Sequence, residues 1–349
     1  YRFFNKRKET INNVQVQRTF EIGRKNNKIF LALNYLSFCI SASIKCLFLK
    51  GKYDVVYSYQ LSPVIMAIPA IIYSKIHKKK LILYCLDLWP ESLCTVGIKN
   101  SSIIYKIFDK ISRKIYNSCD RILITSEKFK EYLVNIHNVV EKKIKYLPQC
   151  SFDFKCDKKI AKKDTTNFIF AGNIGKSQNV ELIVEAFSRL SPKYKAVVYI
   201  VGEGSNLNNI KNMVKNKNVQ DRFIFVNQIS KEKIKEYYNL ADACFLTLTD
   251  NKSIGNTVPL KLQGYMSTGK PILASVNGSA SKLINESKCG KCVNANDIVS
   301  FVKLIEDFIE NKPKYIKYGN NGRKFYEENF TIEGNTKQII REMKEIIGE

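Results

Sequence analysis

Short apolar runs alternate along most of the chain with longer stretches whose apolar residues recur every three to four positions. Runs such as 196–201 (AVVYIV) are typical of strands buried on both faces. Stretches such as 207–216 have the spacing of an amphipathic helix. Regular alternation of the two predicts an α/β protein in which helices cover parallel, doubly wound sheets.

The alternation is interrupted once, by a lysine-rich stretch at 151–166 that has no periodicity and that we interpret as an interdomain linker. Before the linker the pattern predicts strands at 13–18, 53–58, 81–86, 121–125 and 144–148, and helices at 31–48, 62–76, 103–118 and 126–135. After it the pattern predicts strands at 167–171, 196–201, 223–226, 243–248 and 272–276, and helices at 179–190, 207–216, 231–240, 295–311 and 331–347, with a further helix that begins near Pro259 and ends at Gly269.

Three polar loops follow predicted strands of the second half. They are the loop with Gly172, Asn173, Gly175 and Lys176, the Gly202-Glu203-Gly204 turn, and the loop with Asn256 and Thr257 before the helix that carries Lys261. Carboxyl ends of parallel strands share one edge of a sheet, so these loops should converge on one crevice. A helix N-terminus there favours an anion. Each feature alone is also typical of an ordinary turn or of a solvated surface lysine.

The formal charge of +25 indicates an anionic partner: nucleic acid, a membrane surface or a phosphorylated substrate. The lysines are scattered and no recognition-helix signature is present, which disfavours nucleic acid. Residues 31–49 are apolar enough for one helical face to lie at a bilayer interface, with the cluster 78–80 (KKK) as a basic contact. The pair Cys289 and Cys292 has no second pair beside it, so we assign no metal.

The first half has one polar motif of its own, directly after the predicted strand 81–86. Asp87, the only tryptophan (Trp89) and Glu91 lie within five residues of one another. The functional interpretation is an acceptor-side edge with a carboxylate and an aromatic wall. The alternative is that the tryptophan packs in the core and the two acids cap the next helix.

Together these segments resemble one family in order and spacing. The residues that carry the resemblance are Asp87-Leu-Trp-Pro-Glu91-Ser92, Phe170-Ala-Gly172-Asn173-Ile-Gly175, Val201-Gly-Glu203-Gly204, Ala241-Asp242 and Pro259-Leu-Lys261-Leu-Gln-Gly-Tyr265-Met-Ser-Thr-Gly269-Lys-Pro271. The chain resembles the retaining family 4 glycosyltransferases of GT-B fold. It is similar in particular to the N-acetylfucosamine-type amino-sugar transferases of capsule and O-antigen assembly.

The resemblance implies two doubly wound, Rossmann-like domains that face a cleft: an acceptor-side domain at 1–155, a donor-binding domain at 156–330, and a last helix at 331–349 that packs back on the first domain. It implies a nucleoside diphosphate sugar donor, UDP in our prediction, and a lipid-linked glycan acceptor at an anionic, cytoplasmic membrane face. No metal cofactor is implied. The implied donor-site residues are Gly172, Asn173, Gly175, Lys176, Glu203, Asn256, Thr257 and Lys261, and the implied catalytic residues are Asp87, Glu91 and Tyr84.

The chain departs from the family pattern at several positions. The family's E-x7-E glutamates fall on Asn256 and Gly264, its basic pair in the first loop of the donor domain falls on Asn173 and Gln178, and an acceptor-side His or Glu falls on Tyr84. The family's first strand and glycine-rich loop are expected before Tyr1. A truncated remnant that binds nucleotide or membrane without transfer is therefore the alternative, and a basic nucleic-acid binder is a third.

Overall fold

The computed structural model describes residues 7–25, 27–94, 97–156, 164–249 and 258–349. By its internal contacts the chain divides into two compact units, residues 1–147 with 338–349 and residues 148–337. Both are α/β units with parallel sheets, which confirms the predicted fold class at this level.

In the first unit an antiparallel hairpin precedes the parallel sheet. Its elements are β1 (Lys8–Ile11), β2 (Val14–Gln17), α1 (Lys28–Phe48), β3 (Val55–Gln60), α2 (Ile68–His77), β4 (Lys80–Cys85), α3 (Glu91–Cys94), α4 (Ile103–Asn117), β5 (Arg121–Ile124), α5 (Glu127–Asn135) and β6 (Ile144–Tyr146). Within the described residues, the parallel sheet runs β3-β4-β5-β6. The strand predicted at 13–18 is present as β2, and among the described strands it pairs with β1 in the antiparallel hairpin.

The second unit contains the longer parallel sheet. Its elements are β7 (Thr166–Ala171), α6 (Val180–Arg189), β8 (Ala196–Val201), α7 (Leu207–Asn216), β9 (Phe223–Val226), α8 (Lys231–Leu240), β10 (Ala243–Thr247), α9 (Leu260–Thr268), β11 (Ile272–Ser275), α10 (Gly278–Ser287), β12 (Gly290–Val293), α11 (Ile298–Glu310) and α12 (Lys312–Asn329). The last helix, α13 (Ile332–Ile347), begins in the second unit and belongs to the first from residue 338 on. Over the described ranges the strand order is β12-β11-β10-β7-β8-β9, so β7 and β10 lie at the centre.

Apolar side chains cover both faces of each parallel sheet. In the second unit Phe168 stacks on Phe245 with ring centroids 4.6 Å apart, and this aromatic layer lies under α6 and α11. On the opposite face Tyr265 and Met266 of α9 pack against the sheet. Full burial of these rings stabilises the unit, since the apolar area removed from water is large. The rigid centre of the sheet fixes the loops at its carboxyl edge.

Candidate functional site

The loops that follow β7 and β8 are joined to each other by backbone hydrogen bonds. The Gly172 amide donates to the Val201 carbonyl (2.9 Å), and the Ile174 amide donates to the Glu203 carbonyl (2.8 Å). A Cβ at Gly202, where φ is +137°, would lie 2.1 Å from the Gly172 carbonyl oxygen. Only glycine permits this approach and this backbone conformation. The glycines of the second loop therefore serve to bring the two loops together.

Lys261 lies in the first turn of α9 and reaches the loop after β7. Its ammonium donates to Gln178 Oε1 at 2.5 Å and lies 4.1 Å from the centre of the Phe170 ring. A Cβ at Gly172 would be 3.6 Å from Lys261 Cε, so the lysine faces the glycine loop directly. The structure thus brings together two of the predicted donor-site residues and adds Gln178 and Phe170, which the sequence interpretation had not assigned to the site.

The electrostatics at Lys261 are unusual for a lysine. Burial lowers the pKa of its ammonium to about 7, and among the described residues no carboxylate counteracts this effect. The helix N-terminus on which it lies is itself partly positive, which further disfavours a cation. An anion placed between Lys261 and the loop of Gly172 would relieve both effects.

Two buried hydroxyls hold the loop after β7 at its start and at its end. The Tyr265 hydroxyl accepts from the Ala171 amide (2.9 Å) and donates to the Ala171 carbonyl (3.2 Å). The Thr247 hydroxyl, at the end of β10, donates to the Gln178 carbonyl (2.6 Å). Both side chains are fully buried. Neither role could be predicted from the sequence, because Tyr265 follows the apolar pattern of α9 and Thr247 is the last residue of an apolar strand.

The other predicted donor-site residues lie on the two loops with more exposure. Asn173, Lys176 and Glu203 are exposed, whereas Gly175 is buried and begins the short 3-10 turn Lys176–Gln178. The backbone of Glu203 lies at the same edge, because its carbonyl accepts from the other loop. The remaining two predicted donor-site residues, Asn256 and Thr257, lie outside the described residues.

Gly264, where the resemblance would place a glutamate, lies one helical turn after Lys261. A Cβ there would be 3.4 Å from Ser151 Oγ and 3.8 Å from Phe154. The position therefore faces the 151–154 segment, and a Cβ at Gly264 fits at ordinary contact distance.

In the first unit a polar network occupies the carboxyl end of β4. Ser62 Oγ donates to Asp87 Oδ2 (2.7 Å), and the indole Nε1 of Trp89 donates to Ser62 Oγ (3.0 Å). Gln60 Nε2, at the end of β3, donates to the Asp87 carbonyl (3.3 Å). Asp87 is therefore fixed in place, and Trp89 is buried but also serves as a hydrogen-bond donor. Ser62 and Gln60 carried no motif that the sequence interpretation could use.

Glu91 lies in α3, on the chain segment that follows this network. Its Oε1 accepts from the Tyr105 hydroxyl at 2.6 Å. Burial and the hydrogen bond to Glu91 both raise the pKa of Tyr105, so the tyrosine stays a donor. The carboxylate is half-buried and held in one orientation.

Tyr84 does not lie on a surface that a substrate could reach. Its side chain is 3% exposed, packs in a cluster with Leu86 and Leu123, and its hydroxyl donates to the Leu147 carbonyl (3.2 Å). The structure thus contradicts the catalytic expectation for this residue. Odd and even positions of a strand face opposite sides, and in β4 both sides are covered.

Comparison with known proteins finds relatives of the second unit. Residues 152–325 match the family described as glycosyl transferases group 1. The protein named "Probable glycosyltransferase WbjE" from Pseudomonas aeruginosa is 27% identical over 66% of the chain. The match spans 60% of that relative's length.

Two solved structures share the fold at low sequence identity. Sucrose-phosphate synthase from Thermosynechococcus elongatus has a TM-score of 0.77 at 16% identity, covering 99% of this chain and 87% of its own. HepE from Anabaena, solved in complex with UDP, has a TM-score of 0.71 at 13% identity, covering 90% of this chain and 84% of its own. The fold class is that of the GT-B glycosyltransferases, and residues 152–325 are similar to the family of glycosyl transferases group 1.

Proposed function

We propose that the protein is a retaining glycosyltransferase that moves an N-acetylated amino sugar from a UDP-sugar to a lipid-linked glycan in capsule or O-antigen polysaccharide biosynthesis. The observation that carries the donor half of this proposal is Lys261. A half-buried ammonium faces a glycine loop at a helix N-terminus, and desolvation lowers its pKa to about 7 with no carboxylate of the described residues counteracting it. A diphosphate is an anion of suitable charge for this position.

Each donor-site residue has a defined task in the proposal. Lys261 and the N-terminus of α9 offset the charge that develops on the leaving diphosphate, which is the electrostatic work that a metal performs in other enzymes. The Gly172–Gly175 loop offers backbone amides. The exposed side chains Asn173, Lys176 and Glu203 contact the rest of the donor, as do Asn256 and Thr257.

On the acceptor side the proposed catalytic residues are Asp87 and Glu91. The Asp87 carboxylate is held by Ser62 through one oxygen, and an acceptor hydroxyl would donate to the other. Glu91 is oriented by Tyr105. Tyr84 is no longer included, because its hydroxyl is buried and already bonded.

The test is a calorimetric titration of the full chain with UDP, with uridine as the matched ligand that lacks the diphosphate. We expect UDP to bind and uridine to bind far more weakly, because the charge-assisted contacts are made to phosphate. Failure of UDP to bind would overturn the donor-site proposal.

A second candidate, a protein that binds the nucleotide without transfer, is favoured by Gly264. The chain has a glycine where the resemblance would place a glutamate, and a Cβ at this position would face Ser151 and Phe154. Assaying UDP release from UDP-sugars together with lipid-linked glycan acceptors separates the two functions. Binding without any UDP release would favour the second candidate.

The proposal also places the protein at the inner face of the cytoplasmic membrane, with α1 on the bilayer. Ile29–Phe48 is the one segment of the described chain that is long and apolar enough to cross a membrane, with a mean hydropathy of 1.6. One side of α1 is packed on the first unit, where Asn34 Nδ2 donates to the Ile22 carbonyl (2.6 Å). The other side exposes a row of large apolar residues at helical spacing: Ile29, Leu33, Leu36, Ile40, Ile44 and Leu47. A helix packed on one side and apolar on the other suits an interfacial position.

We expect the full chain to co-sediment with vesicles that contain anionic lipid, and less so at high salt. Each basic residue near an anionic surface, such as those of the 78–80 cluster, contributes about 1 kcal/mol at low salt. Ile40→Glu should reduce this binding, because it places a charge in the centre of the apolar row.

The matched control is Val299→Glu on α11, where the native side chain is 57% exposed against 59% for Ile40. Loss of binding in both variants, or in neither, would count against α1 as the contact surface. Vesicle binding that does not change with salt would show that the 78–80 cluster is not part of the contact surface.

A further inference from the structure

We infer that Tyr265 and Thr247 are positioning residues for the phosphate site, acting on Lys261 through the loop between β7 and α6. The inference deepens the proposed donor site and rests on it. Neither side chain touches the proposed ligand. Both are fully buried, and each uses its hydroxyl on the backbone of the loop that Lys261 faces.

Tyr265 fixes the start of this loop relative to the helix that carries the lysine. Its hydroxyl bonds both polar backbone groups of Ala171, the residue directly before Gly172. Lys261 and Tyr265 are four positions apart, on one side of α9. The same helix therefore supplies the cation and sets the distance between that cation and the glycine loop.

Thr247 fixes the end of the loop. It donates to the backbone carbonyl of Gln178, whose side chain accepts from Lys261. The neighbouring Thr249 amide donates to the Ser177 carbonyl (3.1 Å), so two contacts from the end of β10 hold the same turn. The residue that holds the ammonium in place is thus held itself by the centre of the sheet.

This arrangement has a consequence for Lys261 beyond simple stability. The lysine is half-buried with its ammonium against this loop, and desolvation is what lowers the pKa of the ammonium. A loop released at either end would admit water to the ammonium, so its pKa would rise toward the ordinary value near 10.4. The number of protons that the protein takes up on binding UDP at pH 8 would then fall. A role confined to stability would leave that number unchanged.

The experiment compares wild type, Tyr265→Phe and Thr247→Val as full chains. UDP affinity and proton uptake are measured by calorimetry at pH 8 in two buffers of different ionisation enthalpy. We expect each variant to bind UDP about tenfold more weakly, because the hydroxyl that restrains the loop is lost, and to take up fewer protons. Thr247→Val keeps the side-chain shape, so it decides the question if Tyr265→Phe does not fold.

Tyr315→Phe is the matched control, because Tyr315 is also buried in the second unit and loses one hydrogen bond, to Asp307, away from the loop. It should lower the melting temperature without changing proton uptake. Equal UDP affinity and proton uptake in wild type and both loop variants would overturn the positioning roles while leaving the donor site intact. Absence of UDP binding in wild type would instead overturn the proposed function.

Discussion

Lys261→Met should weaken UDP binding by about tenfold to a hundredfold, since charge-assisted hydrogen bonds contribute about 1.5–3 kcal/mol and 1.4 kcal/mol is one decade. Methionine keeps the length and apolar stem of the side chain but removes the ammonium that faces Gly172. Calorimetric titration of the full chain at pH 7 measures the change. Uridine should bind equally weakly to both forms, because it offers no phosphate to the site.

The control for removal of a positive charge is Lys215→Met, on the exposed side of α7. This variant also removes one lysine amino group, without touching either loop, so its UDP affinity should match that of wild type. If both variants lost the same UDP affinity, the effect would come from long-range electrostatics and not from a contact in the site. An unchanged affinity in Lys261→Met would remove this lysine from the site.

The affinity for UDP should also depend on pH, and the direction of this dependence follows from the Lys261 pKa of about 7. At pH 8 most Lys261 side chains in the free protein are neutral. A bound diphosphate raises the pKa of the ammonium, so binding takes up a proton, and affinity falls as the pH rises above about 7. The secondary pKa of a phosphate group is about 6, so the ligand itself takes up no proton at pH 8. Wild type should therefore show buffer-dependent heats, and Lys261→Met should not.

Much of this donor site was predictable because it follows from two regular patterns. Apolar runs marked β7, β8 and β10 to within a residue or two. Once parallel strands are assigned, their carboxyl ends must share an edge, which is why loops thirty residues apart could be expected to meet. The helix that carries Lys261 was marked by Pro259 at its start and by Gly269, in left-handed conformation, at its end.

What the sequence did not reveal depends on contacts between distant residues. Tyr84 looked like a motif position, yet coverage of β4 on both faces buries it. The helix α12 was missed because its polar composition and glycines give a weak helical signal. Its Gly319 lies against the backbone of Gly269, so packing on α9 stabilises a helix that its own propensity does not. Gln178 could not be recognised as the partner of Lys261, because eighty-three residues separate them.

Gly202→Ala should destabilise the second unit by roughly 2–5 kcal/mol. The added Cβ would lie 2.1 Å from the Gly172 carbonyl oxygen, and backbone on both sides leaves no flexible side chain to move away. Overpacking of this kind costs about 1–3 kcal/mol, and a left-handed backbone at an L-residue costs about 1–2 kcal/mol more. For a unit of this size each kcal/mol lowers the melting temperature by about 2–4 °C. Calorimetric melting of the full chain should show a lower transition for this variant.

The matched control is Gly264→Ala, a glycine inside α9 with ordinary room for a Cβ beside Ser151 and Phe154. Alanine in a helix is favoured over glycine by about 0.5–1 kcal/mol, so this variant should melt at the wild-type temperature or above it. Gly202→Ala should also weaken UDP binding, because the loop of Gly172 must move off the loop that follows β8. A variant that melts like wild type would show that the two loops are not held as closely as their hydrogen bonds indicate. A variant that melts early but binds UDP with wild-type affinity would separate the joining of the loops from the function of the site.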